Sequence, residues 1–304
     1  MDDIEYVGKV KLNKQFYAGK DEYSDGRVED ELLSIVQNHS PEAFDEVIRK
    51  SQSWPILYHL SKYRENIIRV MDLQPQDHVL EVGAGCGAVT GGLAKKASVT
   101  CVELSLKRSL INAYRNRDRE NIEIIVGNFQ DVERGLPGFD AITLIGVLEY
   151  AALYIDADKP DVRFLQRIKS HLREGGKLYI AIENRFGLKY WAGCQEDHLG
   201  GFFKGIEGYE QGAGVRTYGK LELERLIHEA GFQNCYFYYP YPDYKFPSVI
   251  YSEDHLPQKD ELINNNMNFD QDKVYMFEEK KVYNALIDEK AYPFFANSFL
   301  VEVW

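Results

Sequence analysis

Residues 79–89 read VLEVGAGCGAV and decide the fold, because a short apolar run leads into a turn with glycine at three alternating positions. Gly83, Gly85 and Gly87 allow the backbone to turn tightly and to lie close to a ligand at the start of the following helix. Read as Gly83-x-Gly85-x-x-Ala88, the turn also fits the dinucleotide fingerprint. The sequence therefore predicts a strand, a ligand-binding turn and a helix.

The sequence on both sides of this turn alternates between short apolar runs and segments with helical periodicity. Apolar runs of this kind indicate parallel strands that are covered on both faces, so we predict a doubly wound α/β fold. The predicted strands lie at 78–82, 99–103, 122–126, 141–146 and 177–182, with helical patterns beginning near Ser61, Val89, Ser105 and Val162.

Beyond this region the composition changes. Residues 187–219 hold nine glycines in 33 positions, which predicts a long functional loop rather than a plain connection. A helical pattern follows at 221–232, then an aromatic run at 236–244, and the alternating stretch 298–304 predicts a last strand.

Composition limits the classes of partner. The chain of 304 residues has 36 Lys and Arg against 48 Asp and Glu, a net charge of −12. A surplus of acids repels phosphate backbones, so we predict no nucleic-acid partner. The amino terminus has no basic and apolar signal pattern, and no apolar run is long enough to cross a membrane. We therefore predict a cytoplasmic protein without a membrane span.

The four cysteines, at positions 86, 101, 194 and 235, form none of the close pairs that a zinc site or a redox dithiol needs. We interpret them as reduced, small apolar residues and predict no metal site. The sequence does not indicate an oligomeric state.

Two acids flank the glycine turn and bear on the choice of ligand. Glu103 lies about 20 residues beyond the turn, where a ribose-binding acid is expected whichever nucleotide binds. Glu81 enters the turn itself, where its carboxylate would repel the pyrophosphate of NAD. The same carboxylate would favour the ammonium and sulfonium groups of S-adenosylmethionine (SAM), which makes SAM the predicted cofactor and S-adenosylhomocysteine its product.

With these two acids the sequence resembles the class I SAM-dependent methyltransferases, whose Glu/Asp-x-Gly-x-Gly-x-Gly motif is matched from Glu81 to Gly87. The resemblance covers about 54–240 and the closing strand. It implies a Rossmann-like, mostly parallel seven-stranded sheet with an antiparallel last strand and helices on both faces. It also implies cofactor-binding roles for Glu103 and Leu104 at the ribose, Asn128 and Phe129 at the adenine, and Gly146 near the methyl group. Many members have Asp in place of Asn128.

The flanking stretches 23–33, 54–61 and 181–201 are similar to bacterial methyltransferases of surface-polysaccharide or natural-product gene clusters. We predict an amino-terminal lid or substrate region at 1–53. A methyltransferase domain is predicted at 54–304, with insertions at about 187–219 and 241–293. In this family the region before the cofactor turn often forms a lid, which makes Tyr23 and His59 candidate substrate contacts.

Three residues are candidates for proton transfer. His198 lies in the glycine-rich segment beside Glu196 and Asp197, which would orient its ring and raise its pKa. Glu149 and Glu183 each lie just beyond a predicted strand, at the sheet edge where α/β proteins bind ligands, although solvent-facing carboxylates would fit the same pattern. Tyr190 and Trp191 are candidates for an aromatic wall around a substrate, or for residues that pin the loop to the core.

The predicted reaction is O-methylation of a glycan or a glycosylated metabolite, in which a base removes the proton of a hydroxyl group. The alternative is methylation of a peptide carboxyl group, which is already ionised and needs only alignment. Two further classes stay open on the sequence alone, namely an NAD-dependent oxidoreductase and a SAM-binding protein without turnover.

Overall fold

The computed structural model describes residues 3–21, 23, 24, 26–210, 212–263 and 273–304. The chain divides into two compact units. The first unit comprises Met1–Leu144 and His171–Gly176, and the second comprises Ile145–Ser170 and Lys177–Trp304. None of the helices in the described residues is long and apolar enough to span a membrane.

The first unit carries six strands in the order β1-β2-β5-β4-β3-β6. Only β1 and β2 pair antiparallel, and the other neighbours run parallel. The carboxyl ends of β3, β4 and β5 therefore lie side by side, and each is followed by predicted cofactor residues. The strands are β1 Ile4–Val7, β2 Val10–Phe16, β3 His78–Val82, β4 Ser98–Glu103, β5 Ile122–Gly127 and β6 Phe139–Ile145.

Six α-helices belong to the first unit. Helix α5 begins as the sequence predicts, because the Ser105 hydroxyl accepts a hydrogen bond from the Arg108 amide at 3.2 Å. The segment after Ser61 is a 3-10 helix, Lys62–Val70. The α-helices are α1 Arg27–Asn38, α2 Phe44–Ser51, α3 Trp54–Leu60, α4 Thr90–Ala94, α5 Leu106–Arg115 and α6 Phe129–Val132.

The second unit carries four strands in the order β7-β10-β8-β9, all paired antiparallel, and β7 contributes its residues 177–183 to this unit. The predicted insertion at 241–293 includes residues 264–272, which lie outside the described residues. The strands are β7 Leu172–Glu183, β8 Cys235–Tyr241, β9 Val249–Ser252 and β10 Ser298–Val303. The helices are α7 Ala151–Tyr154, α8 Pro160–Lys169, α9 Leu188–Trp191, α10 Lys204–Glu207, α11 Lys220–Glu229, α12 Glu279–Asp288 and α13 Tyr292–Phe295.

The predicted fold class is confirmed, including the antiparallel last strand β10. The predicted count of seven strands is wrong, because the described residues form ten. Strands β1 and β2 lie in the amino-terminal segment 1–53, and Val10 and Leu12 are fully buried apolar side chains of β2. Strand β2 forms because it pairs with β5 and buries alternate side chains. The local sequence pattern did not indicate this pairing. The roles predicted for 1–53 and for the insertions stay predictions.

Candidate functional site

The glycine turn of the first unit has the geometry that its sequence predicts. Gly83, Gly85 and Gly87 all have positive φ angles, of 70°, 53° and 75°. A Cβ atom added at Gly85 would meet nothing within 4 Å, so open space borders the turn there. A Cβ atom at Gly87 would lie 2.3 Å from Oδ1 of Asn112, because this glycine packs against α5. The turn therefore offers room for a ligand at Gly85 and close helix packing at Gly87.

Glu103 is the last residue of β4, and its carboxylate faces the glycine turn. Oε2 accepts a hydrogen bond from the Gly85 amide at 2.7 Å, and Oε1 accepts one from the Ser105 amide at 2.9 Å. Burial raises the pKa of this carboxyl above its ordinary value, although the amide donors favour the ionised form. Each oxygen retains a further lone pair, so the carboxylate can still accept hydrogen bonds from two ribose hydroxyls.

Asp21 holds the start of helix α5 directly after Glu103. Its carboxylate accepts hydrogen bonds from the Ser105 hydroxyl at 3.0 Å and from the Leu106 amide at 2.7 Å. An acid at a helix amino terminus is favoured by the helix dipole. Asp21 therefore ties the amino-terminal segment to the strand end that carries the ribose-binding candidate, a link between distant residues that the sequence did not indicate.

The other cofactor and substrate candidates of the first unit differ in their exposure. Asn128 accepts a hydrogen bond from the Gln130 amide at 3.0 Å and so caps α6, which the buried Phe129 begins. Leu104 is half-buried beside Glu103. Tyr23 is exposed, and the Arg108 guanidinium lies 4.3 Å from its ring centroid. His59 is buried. Their contacts with SAM or an acceptor stay predictions.

Glu81 lies behind the turn rather than on its open side. Its side chain is buried and accepts hydrogen bonds from the Thr90 hydroxyl at 2.6 Å and the Cys101 thiol at 3.4 Å. Burial raises the pKa of Glu81 to about 7. Its predicted action on the ammonium group of SAM stays a prediction, and the observed contacts join β3 to α4 and β4.

The raised pKa makes Glu81 a source of pH-dependent stability. Below its unfolded pKa of 4.5 both states are protonated, whereas between that value and about 7 only the unfolded state ionises. Stability is therefore lost as the pH rises through this window, by about 3 kcal/mol in full. We expect the free energy of unfolding of Glu81→Gln to rise relative to that of the wild type by about 2 kcal/mol when the pH is raised from 5 to 8. Urea unfolding measures this change.

The control for this prediction is Glu123→Gln, which removes a partly exposed carboxylate on β5 whose partner is Lys11 at 2.8 Å. In this variant the free energy of unfolding should change between the two pH values nearly as much as it does in the wild type. If the free energy of unfolding of Glu81→Gln changed with pH as that of the wild type does, the buried, titrating state of Glu81 would be contradicted.

In the second unit three predicted catalytic residues come together. Donor atoms of Glu149, Glu183 and His198 all lie within 4.8 Å of one another. His198 Nε2 is 3.5 Å from Glu183 Oε2, and its Nδ1 is 3.1 Å from the Tyr150 hydroxyl. Glu149 and Glu183 are fully or almost fully buried. We call these three residues the acid–histidine cluster.

Two lysines and an aspartate complete the surroundings of this cluster. Lys245 Nζ lies 2.6 Å from Glu183 Oε1 and 2.7 Å from Asp197 Oδ1, and Lys189 Nζ lies 2.7 Å from Asp197 Oδ2. The sequence did not indicate either lysine as a site residue, because a lysine among aromatic residues is only weak evidence for a functional role. Asp197 thus pairs with the lysines, and Glu183 is the carboxylate next to the His198 ring.

The pKa values of these side chains depend on burial and on the charges of their neighbours. Burial alone would lower the pKa of His198, but the adjacent Glu183 carboxylate raises it to about 9. Burial raises the pKa of Glu149 to about 8. Burial opposes ionisation of Glu183, yet Lys245 holds its pKa well below the ordinary value. At neutral pH His198 is therefore protonated and must give up a proton before it can act as a base.

Gly146 and the aromatic candidates also lie in the second unit. Gly146 has a φ of 70°, and a Cβ there would lie 2.9 Å from the Tyr244 hydroxyl. Tyr190 is buried and donates a hydrogen bond to Asp197, so its hydroxyl belongs to the charged surroundings of the cluster. Trp191 is 38% exposed and packs edge-on against Phe295. The exposed face of Trp191 can still contact a substrate.

The parallel strands and the glycine turn facing Glu103 define a nucleotide-binding α/β protein. Residues 80–178 match the family described as a methyltransferase domain. Over these residues the chain is similar to a SAM-dependent methyltransferase domain, and its cofactor is SAM. The match decides between the two cofactors that the glycines alone left open.

Curated relatives match a shorter stretch. The chain is 38% identical over 82 residues to a Methanosarcina mazei protein named "Probable ribosomal RNA small subunit methyltransferase A". It is 37% identical over 82 residues to the protein of the same name from Methanosarcina acetivorans. Each match covers 26% of this chain and 29% of the relative, so the chain spans less than a third of the length of these relatives.

Solved structures include a SAM-dependent methyltransferase from Thermotoga maritima, with 17% identity and a TM-score of 0.45 over 87% of this chain and 98% of that one. A SAM-dependent methyltransferase from Aquifex aeolicus has 16% identity and a TM-score of 0.41, over 64% of this chain and 90% of that one.

Proposed function

We propose that this protein transfers the methyl group of SAM to a hydroxyl oxygen of a glycan or a glycosylated metabolite. The observation that carries the proposal is the acid–histidine cluster, which gathers three proton-binding side chains in the second unit. The first unit supplies the cofactor contacts, since the Glu103 carboxylate faces the open side of the glycine turn.

Methyl transfer to a hydroxyl group needs alignment and removal of one proton. The oxygen attacks the methyl carbon as the bond from carbon to the sulfonium breaks, which leaves a neutral thioether. A sugar hydroxyl has a high pKa, so a positioned group must take its proton. We propose that the acid–histidine cluster takes this proton as a unit, with Glu183 held ionised by Lys245 and the His198 ring oriented by Tyr150.

Replacing His198 by Ala tests the need for a base. We expect turnover to fall about 100-fold or more, because general bases contribute at least that factor, while affinity for SAM stays unchanged. Release of S-adenosylhomocysteine is measured across panels of glycosides and peptides. The control is His228→Ala, an exposed histidine of α11. Near-normal turnover of His198→Ala with a peptide would reject the hydroxyl proposal in favour of a carboxylate acceptor.

We propose that the acceptor is not a nucleic acid. The relatives named for ribosomal RNA match only 82 residues, and the net charge of −12 opposes binding to a phosphate backbone. Thermal shift with SAM and S-adenosylhomocysteine, followed by the same panels, separates an enzyme from a SAM-binding protein without turnover. Stabilisation by SAM with no methylated product in any panel would favour the non-catalytic class.

A further inference from the structure

One buried oxygen of the acid–histidine cluster lacks a hydrogen-bond partner. Among the described residues, Glu149 Oε2 is buried without a hydrogen bond, whereas Glu183 Oε1 pairs with Lys245 at 2.6 Å and Glu183 Oε2 lies 3.5 Å from His198 Nε2. Buried polar atoms are nearly always satisfied, so this carboxylate oxygen calls for a partner of another kind. Glu149 is 1% exposed, and water therefore has little access to its carboxylate.

The separations within the cluster are those of ligands around one ion. An ionic hydrogen bond between nitrogen and oxygen is typically about 2.7–2.9 Å long, whereas His198 Nε2 and Glu183 Oε2 are 3.5 Å apart. Two ligands bound tetrahedrally at bond lengths near 2.1 Å lie roughly 3.4 Å apart. The third donor, from Glu149, lies within 4.8 Å of the other two, so modest side-chain rotation completes the set.

We propose that Glu149, Glu183 and His198 bind a divalent first-row transition-metal ion of the zinc type. Two carboxylates and one imidazole are ligands that Zn²⁺ accepts, and three protein ligands leave a fourth coordination position open. The inference uses the same three side chains as the proposed function and does not depend on the identity of the acceptor. With an ion bound, a group at the open coordination position, rather than these side chains directly, would take the proton of the acceptor. Because its ligands come from three separate stretches of sequence, cysteine spacing could not predict it.

The surrounding residues fit such a site without displacement of Lys245. Lys245 Nζ contacts Oε1 of Glu183, whereas Oε2 of the same carboxylate faces His198. Glu183 can therefore bind the ion through one oxygen and Lys245 through the other. The Tyr150 hydroxyl lies 3.1 Å from the remaining ring nitrogen of His198, the type of outer contact that orients metal-binding histidines.

A second group of metal-binding residue types provides an internal control. Glu224, His228 and Cys235 also bring donor atoms within 4.8 Å of one another. However, His228 is exposed, and its Nδ1 atom already lies 3.1 Å from the Phe232 carbonyl. This group also contains a thiol, which gives a spectroscopic signature that the acid–histidine cluster lacks.

Zinc titration of this chain after treatment with a chelator, followed by calorimetry, tests the proposal. We expect one strongly bound equivalent, weakened about 100-fold in Glu149→Gln and unchanged in His228→Ala. Circular dichroism confirms that both variants are folded. No strongly bound equivalent, or binding that His228→Ala abolishes and Glu149→Gln leaves intact, would overturn the proposal.

Cobalt substitution of the wild-type chain gives a second readout that needs no variant and no acceptor. Co²⁺ at the acid–histidine cluster should show the visible absorption of a four-coordinate ion without a thiolate charge-transfer band. A thiolate band would place the ion at Cys235 and reject the site. If the metal binds as expected but no acceptor is methylated, the proposed function fails and the metal site stands.

Discussion

Replacing Gly87 by alanine is expected to destabilise the first unit by about 3 kcal/mol or more. The glycine has a φ of 75°, a left-handed conformation that costs an alanine roughly 1–2 kcal/mol. The new Cβ would also lie 2.3 Å from Oδ1 of Asn112, a fully buried side chain. Urea unfolding monitored by circular dichroism measures the loss.

The clash at Gly87 has a large effect because Asn112 cannot move freely. Its Nδ2 donates to the Thr90 hydroxyl at 3.0 Å, and its Oδ1 accepts from Asn116 Nδ2 at 2.8 Å. Thr90 in turn donates to Glu81, so displacement of Asn112 disturbs a buried chain of hydrogen bonds.

Gly85→Ala is the matched control for this prediction. It places the same methyl group at a φ of 53°, where nothing lies within 4 Å, so we expect a loss of only about 1 kcal/mol. Equal losses for the two alanine variants would show that backbone conformation alone matters and that contact with Asn112 does not.

Replacing Glu103 by Gln is expected to weaken SAM binding about 100-fold. The variant keeps the size of the side chain but removes the charge that we expect to accept hydrogen bonds from the ribose hydroxyls. Hydrogen bonds to a charged group contribute about 1.5–3 kcal/mol each, and about 3 kcal/mol corresponds to this factor. Calorimetric titration with S-adenosylhomocysteine measures the change in Kd.

Glu123→Gln again serves as the control, because it removes one carboxylate from the neighbouring strand β5 at a partly exposed position. Its Kd should match that of the wild type. A Glu103→Gln variant that is folded and binds S-adenosylhomocysteine as tightly as the control would remove Glu103 from the cofactor site.

The arrangement of the cofactor candidates in the first unit was predictable because these residues follow one another along a regular pattern. Parallel strands place their carboxyl ends together, so Gly85 and Glu103 meet wherever the strand order holds. The acid–histidine cluster was predictable only in part. His198, Glu149 and Glu183 were singled out separately, but Lys245 and the contact of His198 with Glu183 depend on loops whose paths are set by packing.

The sequence by itself determined the α/β class, the ligand-binding turn and the acid that faces it, because these depend on local periodicity and on glycine geometry. Tertiary structure alone decided that Glu81 is buried behind the turn, that the amino-terminal segment adds two strands, and that three distant side chains converge in the second unit. The physical reason is that burial and charge pairing depend on neighbours in space. The ionisation of Glu149, Glu183 and His198 depends on one another and on the charge of Lys245, across separations in sequence that no local pattern records.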